Sequence, residues 1–415
     1  MSFVTDICEK TKLAANKFAG ADTATKNAAL LRAKELLLEK EDDILAANAE
    51  DIKKAEEGGR NAAFIDRLRL TPARIRQMCD GIDAIVALPD PVGEVTEHYT
   101  LPNGLDVKKV RAPLGVIGII FEARPNVALD AGALCVKSGN GVILRGSRDS
   151  VKSVAAITAC MKRALEEKGI DPCVVGLIES MDREATAEML RQDKYIDVVI
   201  PRGGEALKKV VLENAAMPVI ASAGGNCHTY VAPSADFDMA MTVILNAKTN
   251  RPSTCNALET ILADRKIARD FLPGMLALLK KNGVEIRGTR EVKDIYPDCI
   301  EVGEEEFTRE YDNMIIKVAI VDGLTEAIDH INKYGTNHSD AIITEDKEEA
   351  ARFAREVDSS AVYVNASTRF TDGFELGLGA EMGISTQKLH VRGPVGLKEL
   401  TSVKYVVTGN GQVRK

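Results

Sequence analysis

The chain has 415 residues, which at about 150 residues per domain predicts two to three domains. Apolar residues make up 45% and charged residues 28%, a balance typical of a folded globular protein and not of a disordered one. The formal net charge is −8, so the chain lacks the basic excess with which proteins contact phosphate backbones, and a nucleic-acid-binding function is disfavoured.

The apolar runs and the cysteines point to one compartment. The longest apolar runs, such as Val116–Phe121, are strand-sized and fall well short of the ~18 residues of a membrane span. The N-terminus lacks the pattern of a secretory signal. Eight widely spaced cysteines without a Cys-x-x-Cys pair argue against structural zinc and against disulfides. We therefore expect a metal-free protein of the reduced cytoplasm, without membrane contact.

The first ninety residues predict helices. Thr23–Glu57 has apolar residues at helical spacing and stops at Gly58. Thr71 followed by Pro72 is a helix-start signal, and that helix should end near Leu88.

A β-hairpin is predicted next, over His98–Val110, with its turn at Asn103-Gly104. An isolated two-stranded ribbon is only marginally stable. We therefore expect the hairpin and the last strand of the chain, Lys398–Thr408, to form an arm that joins copies of the chain into a homo-oligomer by strand addition.

From Val116 onward strands and helices alternate, which predicts parallel α/β sheets with helices on both faces. The predicted strands are Val116–Phe121, Val142–Arg145, Val174–Ile178, Ile196–Ile200, Pro218–Ala221, Thr229–Ala232, Ala257–Leu262, Met314–Val321, Ala341–Thr344 and Ala361–Asn365. The predicted helices include Arg148–Lys168, Gly203–Asn214, Asp236–Lys248, Ile267–Lys281, Leu324–Tyr334 and Lys347–Val357. Ten strands suit two sheets better than one, with the break near Gly224-Gly225.

The motifs of several enzyme classes are missing. The sequence has no Gly-x-Gly-x-x-Gly after a strand, no Walker loop, no His-Glu-x-x-His, no EF-hand and no Gly-x-Ser-x-Gly. Ordinary ATPases, zinc proteases and α/β-hydrolases are therefore disfavoured. In contrast, the long Gly-rich segment Phe370–Gly396 is typical of a functional loop.

Cys255 is the candidate nucleophile. It lies in a polar loop that joins a helix to a strand, and Arg251 in the same loop would favour its thiolate. Buried cysteines usually pack as small core hydrophobes, so on local chemistry alone that role also remains open for Cys255. A pair between Cys227 and His228 is disfavoured because neighbours on a strand point to opposite faces. The core role is predicted for Cys8, Cys79, Cys135, Cys160, Cys173 and Cys299.

Two segments, NRPSTCNALET (250–260) and FTDGFELGLGAEMGISTQKLHVRGPVGL (370–397), resemble the glutamyl-phosphate-reducing branch of the aldehyde dehydrogenase superfamily. The likeness extends over 110–147 and 197–225 and covers nearly the whole chain. It implies an α/β, aldehyde-dehydrogenase-like fold with two parallel-sheet domains and a small β-hairpin oligomerisation arm. The implied domains are an NADPH-binding domain (1–94, 112–226 and 363–394), a catalytic domain (227–362) and the oligomerisation arm (95–111 and 395–415).

The resemblance also implies a reaction: NADPH reduces L-glutamyl 5-phosphate to L-glutamate 5-semialdehyde and phosphate, in proline biosynthesis. A carboxylate resists hydride, so the acid arrives as an acyl phosphate, from which Cys255 forms a thioester that hydride can reduce. The Asn126 side chain and the Cys255 N–H would donate to the oxyanion. An alternative role for Asn126 is the N-cap of the helix that follows it.

Ser222 is informative because oxidative members of the superfamily carry a Glu at the matching position, as the general base for water. Without that base, hydrolysis of a thioester to the acid should be slow. The site is therefore predicted to suit a phosphate leaving group.

Residues at the end of a predicted strand favour NADPH over NADH. NAD-preferring relatives often carry a Glu at the position of Arg148. Here Arg145, Ser147 and Arg148 offer hydrogen-bond donors and positive charge to the 2′-phosphate. The alternative for Arg148 is a solvated helix start.

Further cofactor contacts are implied at two places. Gly203 and Gly204 open a helix after a strand, where backbone N–H groups could meet the pyrophosphate. Glu310 aligns with the superfamily Glu that holds the nicotinamide ribose.

The implied substrate carries an α-ammonium and an α-carboxylate far from the reacting carbon, and such groups can orient that carbon. We expect Glu381 of the Gly-rich loop to meet the ammonium. We expect Arg124, or a backbone N–H of that loop, to meet the carboxylate. The alternative is that Glu381 only pairs with a neighbouring base such as Lys388.

Three other functions are weighed against this one. An aldehyde dehydrogenase that oxidises irreversibly is disfavoured by Ser222, and a glyceraldehyde-phosphate-dehydrogenase-like reductase by the absent N-terminal fingerprint. A non-catalytic scaffold would show no single hyperreactive thiol. Besides its small-molecule substrate and its own copies, the upstream glutamate 5-kinase is a candidate partner.

Overall fold

The computed structural model of the protein describes residues 2–222 and 224–414, and they form two compact units. The first unit extends to Ala221 and includes Gly377–Gly383 and the segment from Val395 onward, and the second comprises Ser222–Leu376 and Ile384–Pro394. None of the helices in the described ranges is long and apolar enough to cross a membrane.

The Gly-rich segment is divided between the units, whereas the sequence assigned the whole of 363–394 to one domain. Met382 N donates to Val395 O (2.9 Å) and Val395 N to Gly383 O (2.7 Å), which fixes Gly377–Gly383 within the first unit. A backbone bridge between Ser222 and Ser385 belongs to the second unit.

The first unit begins with helices and contains two sheets. Its helices are α1 (Phe3–Phe18), α2 (Thr23–Glu39), α3 (Glu41–Glu57), α4 (Ala62–Leu68), α5 (Pro72–Ala87), α6 (Asn126–Lys137), α7 (Val151–Glu167), α8 (Arg183–Met189) and α9 (Glu205–Asn214). Its strands are β1 (Val95–Thr100), β2 (Asp106–Pro113), β3 (Val116–Phe121), β4 (Gly141–Arg145), β5 (Val175–Leu177), β6 (Val198–Arg202) and β16 (Thr401–Thr408).

The predicted helical segments form, with one difference. The Thr71 hydroxyl caps α5 by accepting from Arg74 N (3.2 Å), with Pro72 at the first helical position. The helical stretch 23–57 is interrupted at Lys40, where φ is −108° and ψ is 18°, so it consists of two helices.

The parallel sheet of the first unit has the order β5-β4-β3-β6. Every residue of β3 is buried, as expected for a strand covered on both faces. Because the strands are parallel, the segments that follow β3, β4 and β6 meet at one edge of the sheet. The predicted strand Pro218–Ala221 is wrong, since only Val219 bridges to Val199 of β6.

The arm is a three-stranded antiparallel sheet of order β1-β2-β16. Thr408 of β16 lies opposite Asp106 of β2, and the pairing continues to Thr401 opposite Pro113. Apolar side chains of β16 are exposed on both faces, since Val406 is 41% and Val407 52% exposed.

The second unit is built on a seven-stranded parallel sheet of order β10-β9-β11-β8-β7-β12-β13. Its strands are β7 (Cys227–Val231), β8 (Leu258–Asp264), β9 (Glu285–Gly288), β10 (Ile300–Glu301), β11 (Ile315–Val321), β12 (Ser339–Ile343), β13 (Ala361–Val364), β14 (Ile384–Ser385) and β15 (Gly393–Pro394), of which the last two form a separate ribbon. Its helices are α10 (Phe237–Thr249), α11 (Ala268–Lys281), α12 (Arg290–Ile295), α13 (Leu324–Tyr334) and α14 (Lys347–Glu356).

Both faces of this sheet are covered. Ile261 of β8 packs into a core with α10 and α11, whereas its neighbour Leu262 packs with Ile328 of α13 on the other face. The rigid sheet therefore fixes the loops at its two edges, and the loops that precede β7, β8 and β11 share one edge because the strands are parallel.

Candidate active site

Cys255 lies in the segment Asn250–Asn256, here named the Cys loop, which connects α10 to β8. Its side chain is partly exposed, and so is that of Cys173, which was predicted to lie in the core, whereas the other six cysteines are buried. The Thr254 hydroxyl donates to Arg251 O (2.8 Å), which tightens the turn before the cysteine. The loop therefore presents an accessible thiol from a structured turn.

A second segment, Thr368–Thr371, clamps the Cys loop through Asn256. Asn256 Nδ2 donates to Thr371 O (2.9 Å) and to Arg369 O (3.2 Å), while the Thr368 hydroxyl donates to Asn256 O (2.7 Å). Asn256 is buried, so these bonds are shielded from water.

Arg369 reaches further along the same loop. Its guanidinium donates to Asn250 Oδ1 (3.2 Å), to Thr254 Oγ1 (3.0 Å) and to Asn256 Oδ1. All three partners are neutral and together span the Cys loop. Burial lowers the pKa of Arg369, and the nearby charge of Arg251 acts in the same direction.

Gly225 and Glu310 are beside the cysteine. A Cβ atom on Gly225 would lie 1.3 Å from Cys255 O, so this close approach of two backbones requires glycine. Glu310 Oε1 accepts from Gly225 N (2.6 Å). The structure therefore brings Glu310, predicted from sequence as a ribose contact, to the Gly225 turn at the Cys loop.

Cys227 has a structural position behind the Cys loop. Its Sγ donates to Cys255 O (3.2 Å), and burial raises its pKa well above the usual range, so the thiol stays protonated. His228 Nδ1 instead lies 3.1 Å from Asp340 Oδ1. No bond links Cys227 to His228 among the described residues.

Ser222 is the residue predicted to stand in place of the general-base Glu of oxidative members of the superfamily. It is partly exposed and forms an antiparallel backbone bridge with Ser385. Its neighbour Ala223 lies outside the described residues.

Asn126 is the first residue of α6 in the first unit, directly after a turn at the end of β3. In that turn Ala123 adopts a φ of 52°, a left-handed conformation that is uncommon for a residue with a side chain. Asn126 Nδ2 donates to Asp130 Oδ2 (2.9 Å). The alternative role as N-cap is wrong, because Pro125 holds that position and no side-chain capping bond is present.

Asp130 and four other charged or polar residues surround a small cavity of about 50 Å³, here named the Asn126 cavity. Two acidic and two basic side chains line it. Burial raises the pKa of Asp130 to about 6, although the Asn126 amide and the charge of Arg202 oppose the rise. The polar lining residues are Arg124, Asn126, Asp130, Arg202 and Glu381. The structure therefore gathers three predicted site residues, Arg124, Asn126 and Glu381, in one place.

The other charges of the Gly-rich segment have separate partners. Lys388 Nζ pairs with Asp358 Oδ2 (2.5 Å), and Arg392 Nη2 with Asp358 Oδ1 (2.6 Å). Both bases thus hold the second unit's part of the segment in place.

The predicted 2′-phosphate contacts follow β4. Arg145 is partly buried, which lowers its pKa, and its Nε is a buried donor without a hydrogen bond among the described atoms. Arg148 is exposed and pairs with no carboxylate of the described residues. The neighbouring Asp149 is bound instead to Arg60 (2.8 Å). An unsatisfied buried donor beside an unpaired exposed cation fits an anionic phosphate.

Gly203 and Gly204, which were predicted to contact the pyrophosphate, contact Glu122 in the structure. Gly204 N donates to Glu122 Oε2 (3.0 Å), so a carboxylate oxygen is bound at the start of α9. A Cβ atom on Gly203 would lie 2.5 Å from the same oxygen. The backbone at the start of α9 therefore binds an anionic oxygen of the protein itself, and the pyrophosphate contact stays a prediction.

Sequence reasoning missed Asp130, Arg202, Asn256 and Arg369. Asp130 could have been found, because it is four residues after Asn126 and a helix brings such positions together. Asn256 stands within the recognised motif next to the cysteine. Arg202 and Arg369 gave no local signal, since their partners are remote in sequence.

Comparisons with known proteins identify the family to which the chain belongs. Residues 2–292 match the model of the aldehyde dehydrogenase family. The chain belongs to this family. Among its relatives, the gamma-glutamyl phosphate reductase of Caldanaerobacter subterraneus subsp. tengcongensis is 50% identical over 407 residues, 98% of each chain. That of Carboxydothermus hydrogenoformans is 50% identical over the full length of both.

A solved structure extends the agreement to the fold. The crystal structure of gamma-glutamyl phosphate reductase from Thermotoga maritima superimposes with a TM-score of 0.98, at 45% identity, and covers all of both chains. The expected α/β, aldehyde-dehydrogenase-like fold is therefore confirmed. As a member of the aldehyde dehydrogenase family the chain is an oxidoreductase that uses a nicotinamide cofactor.

Proposed function

We propose that this chain is a gamma-glutamyl phosphate reductase, which reduces L-glutamyl 5-phosphate to L-glutamate 5-semialdehyde with NADPH and releases phosphate, in proline biosynthesis. The observation that carries the proposal is the partly exposed Cys255 on a loop held by buried hydrogen bonds to Asn256. A fixed, accessible thiol is what the displacement of phosphate from an acyl phosphate requires.

In the first step the Cys255 thiolate attacks the acyl carbon. A bond from Sγ to that carbon forms, the bond from the carbon to the phosphate oxygen breaks, and phosphate leaves with the electron pair. The Asn126 amide and the Cys255 N–H donate to the oxyanion of the tetrahedral intermediate. Asp130 accepts one N–H of Asn126, so the amide is held with its nitrogen as the donor end.

In the second step the thioester is reduced. NADPH, when bound, would supply the hydride for this reduction and become NADP⁺. The carbon–sulfur bond of the thioester then breaks, and Cys255 is released as the thiolate together with the aldehyde. Ser222, in place of a carboxylate base, disfavours attack by water on the thioester during its lifetime. The chain's own residues therefore direct the intermediate toward reduction.

The cofactor preference rests on the residues that follow β4. Arg145, Ser147 and Arg148 would hold the 2′-phosphate of NADPH, with the orphaned Arg145 Nε as one donor. Gly203 and Gly204 would face the pyrophosphate once Glu122 moves away, and Glu310 would hold the nicotinamide ribose. The residues after β4 fit a phosphate better than a free ribose hydroxyl.

The amino-acid end of the substrate is assigned to the residues of the Asn126 cavity. Its lining of two carboxylates and two guanidiniums matches a zwitterion. Glu381 would bind the α-ammonium, and Arg124 or a backbone N–H of the Gly-rich segment would bind the α-carboxylate.

The domains and partners follow the same proposal. The parts of the predicted domain 1–94, 112–226 and 363–394 that lie in the first unit would bind NADPH, and the second unit, which holds Cys255, would carry the chemistry. The exposed edge strand β16 would make the chain a homo-oligomer. Sedimentation as a monomer at micromolar concentration would contradict that assembly.

The enzyme would work in the cytoplasm, with the glutamate 5-kinase that supplies the labile acyl phosphate as a further partner.

Alkylation and mutation of the cysteine test the proposal. One equivalent of iodoacetamide should label Cys255 ahead of the buried thiols, as read by intact mass and peptide mapping. Cys255→Ser should abolish reduction and preserve NADPH binding, with Cys173→Ser as the matched control that leaves turnover unchanged. Substantial turnover by Cys255→Ser, or even labelling of several thiols, would overturn the proposal.

A further inference from the structure

Two arginines near the nucleophile form no salt bridge with the residues that the structure describes. Arg251 belongs to the Cys loop itself and is exposed, and Arg369 bonds to three residues of that loop. The charges of Asp372 and Glu375 raise the pKa of Arg369, although neither carboxylate forms a salt bridge with it.

Arg369 has unused donors. Its Nε and Nη1 are bound to Asn250, Thr254 and Asn256, which fixes the plane of the guanidinium. Its Nη2 makes no hydrogen bond to any described residue. A guanidinium that is held at one edge and open at the other is prepared to bind an oxyanion with the open edge.

The two positive charges also disfavour one another. Burial and the charge of Arg251 both lower the pKa of Arg369. The nearby carboxylates of Asp372 and Glu375 act against this repulsion, and a bound anion would reduce it further. The arrangement is therefore more favourable with an anion bound than without one.

We propose that Arg251 and the open edge of Arg369 form the subsite for the phosphoryl group of the substrate. This inference rests on the proposed function and names how its leaving group is held. As Sγ bonds to the acyl carbon and the carbon–oxygen bond breaks, negative charge accumulates on the phosphate oxygens. Two guanidiniums stabilise that charge, and the departing phosphate takes a proton from water.

The arginines are assigned to the phosphoryl group because of its position in the substrate. The phosphoryl oxygen is bonded to the carbon that Cys255 attacks, so it must lie within the reach of the Cys loop. The α-carboxylate is at the opposite end of the five-carbon chain. A phosphate dianion also offers three oxygens to two guanidiniums, whereas one guanidinium satisfies a carboxylate.

The reverse reaction gives the test, with phosphate as the varied substrate and NADPH formation as the signal. Arg251→Gln should raise the KM for phosphate about tenfold, as expected for one charge-assisted contact at a partly screened site, and leave the KM for the semialdehyde within about twofold. Arg369→Lys should act in the same direction. Arg269→Gln, an exposed arginine of α11 without an acidic partner among the described residues, should change neither KM.

A measurement without turnover complements the kinetics. Inorganic phosphate should slow the alkylation of Cys255 by iodoacetamide in the unchanged enzyme, and about tenfold more phosphate should be needed in Arg251→Gln. An unchanged KM for phosphate in both arginine variants would overturn the subsite. A rise in the KM for the semialdehyde alone would assign the arginines to the α-carboxylate. If the unchanged enzyme needs no phosphate at all, the proposed function itself fails.

Discussion

Asp130 gives a prediction whose size follows from its surroundings. Burial at the Asn126 cavity raises the pKa of this carboxyl from 3.8 to about 6. A group whose pKa is higher in the folded state stabilises the fold at low pH and loses that contribution as the pH rises through the folded value. Ionisation of Asp130 therefore lowers the free energy of unfolding at pH 8, and protonation at acidic pH restores it.

Asp130→Asn removes the ionisation and keeps the shape and an acceptor for Asn126. With pKa values of 3.8 and about 6, linkage gives about 1.4 kcal/mol of stability lost by the unchanged protein between pH 5 and pH 8, at 1.36 kcal/mol per pKa unit. The variant is spared this loss. Its free energy of unfolding relative to the unchanged protein should therefore rise by about 1.4 kcal/mol over that interval, or ~2–4 °C in melting temperature.

Urea unfolding at pH 5 and pH 8 measures the difference directly. The exposed Asp193 gives the matched control, because it makes no hydrogen bond or ion pair within the described residues. Asp193→Asn should shift stability by a similar small amount at both values of pH. An equal offset for Asp130→Asn at pH 5 and pH 8 would refute the reasoning, since it would mean that the carboxyl titrates alike in the folded and unfolded chain.

Three further substitutions test single roles. Asn126→Ala should lower turnover roughly 100- to 1,000-fold with little change in NADPH affinity, if the amide donates to the oxyanion; a loss below tenfold would remove it from that role. Arg148→Ala should reduce the preference for NADPH over NADH, chiefly through the apparent affinity for NADPH, and equal use of both cofactors by the unchanged enzyme would defeat the charge argument. Glu381→Ala should weaken glutamyl phosphate strongly and spare an N-acetylated analogue, because the analogue has no ammonium to bind. Equal losses for both substrates would show that Glu381 is structural.

Much of the fold could be predicted from local pattern. Continuous apolar residues predict β3, and Thr71-Pro72 predicts the start of α5, because both signals are formed by neighbours in sequence. Strand β9 was missed because its four residues, Glu285–Gly288, alternate charged and apolar types over too short a length to show a period. Pro218–Ala221 failed for the opposite reason, since its apolar residues bridge β6 at a single position.

The candidate site likewise has residues that could be predicted from the sequence and contacts that could not. Cys255 and Asn126 could be named because recognisable segments contain them. The clamp from Arg369 to Asn256 joins residues 113 positions apart, and no local pattern reports such a contact. The bond from Asn126 to Asp130 is local, yet it becomes meaningful only once the cavity that buries Asp130 is known. The burial of charged side chains, and the remote contacts that they make, are therefore the features of the site that could not be predicted from the sequence.

Phosphate dependence of the reverse reaction is the most direct test of the central claim, which is that Cys255 exchanges a thioester with phosphate and not with water. NADPH formation from L-glutamate 5-semialdehyde and NADP⁺ is measured with and without inorganic phosphate. The account predicts that turnover requires phosphate and that Cys255→Ser is inactive under both conditions. Steady NADPH formation at the same rate without phosphate would contradict it, because water would then be the acceptor of the acyl group.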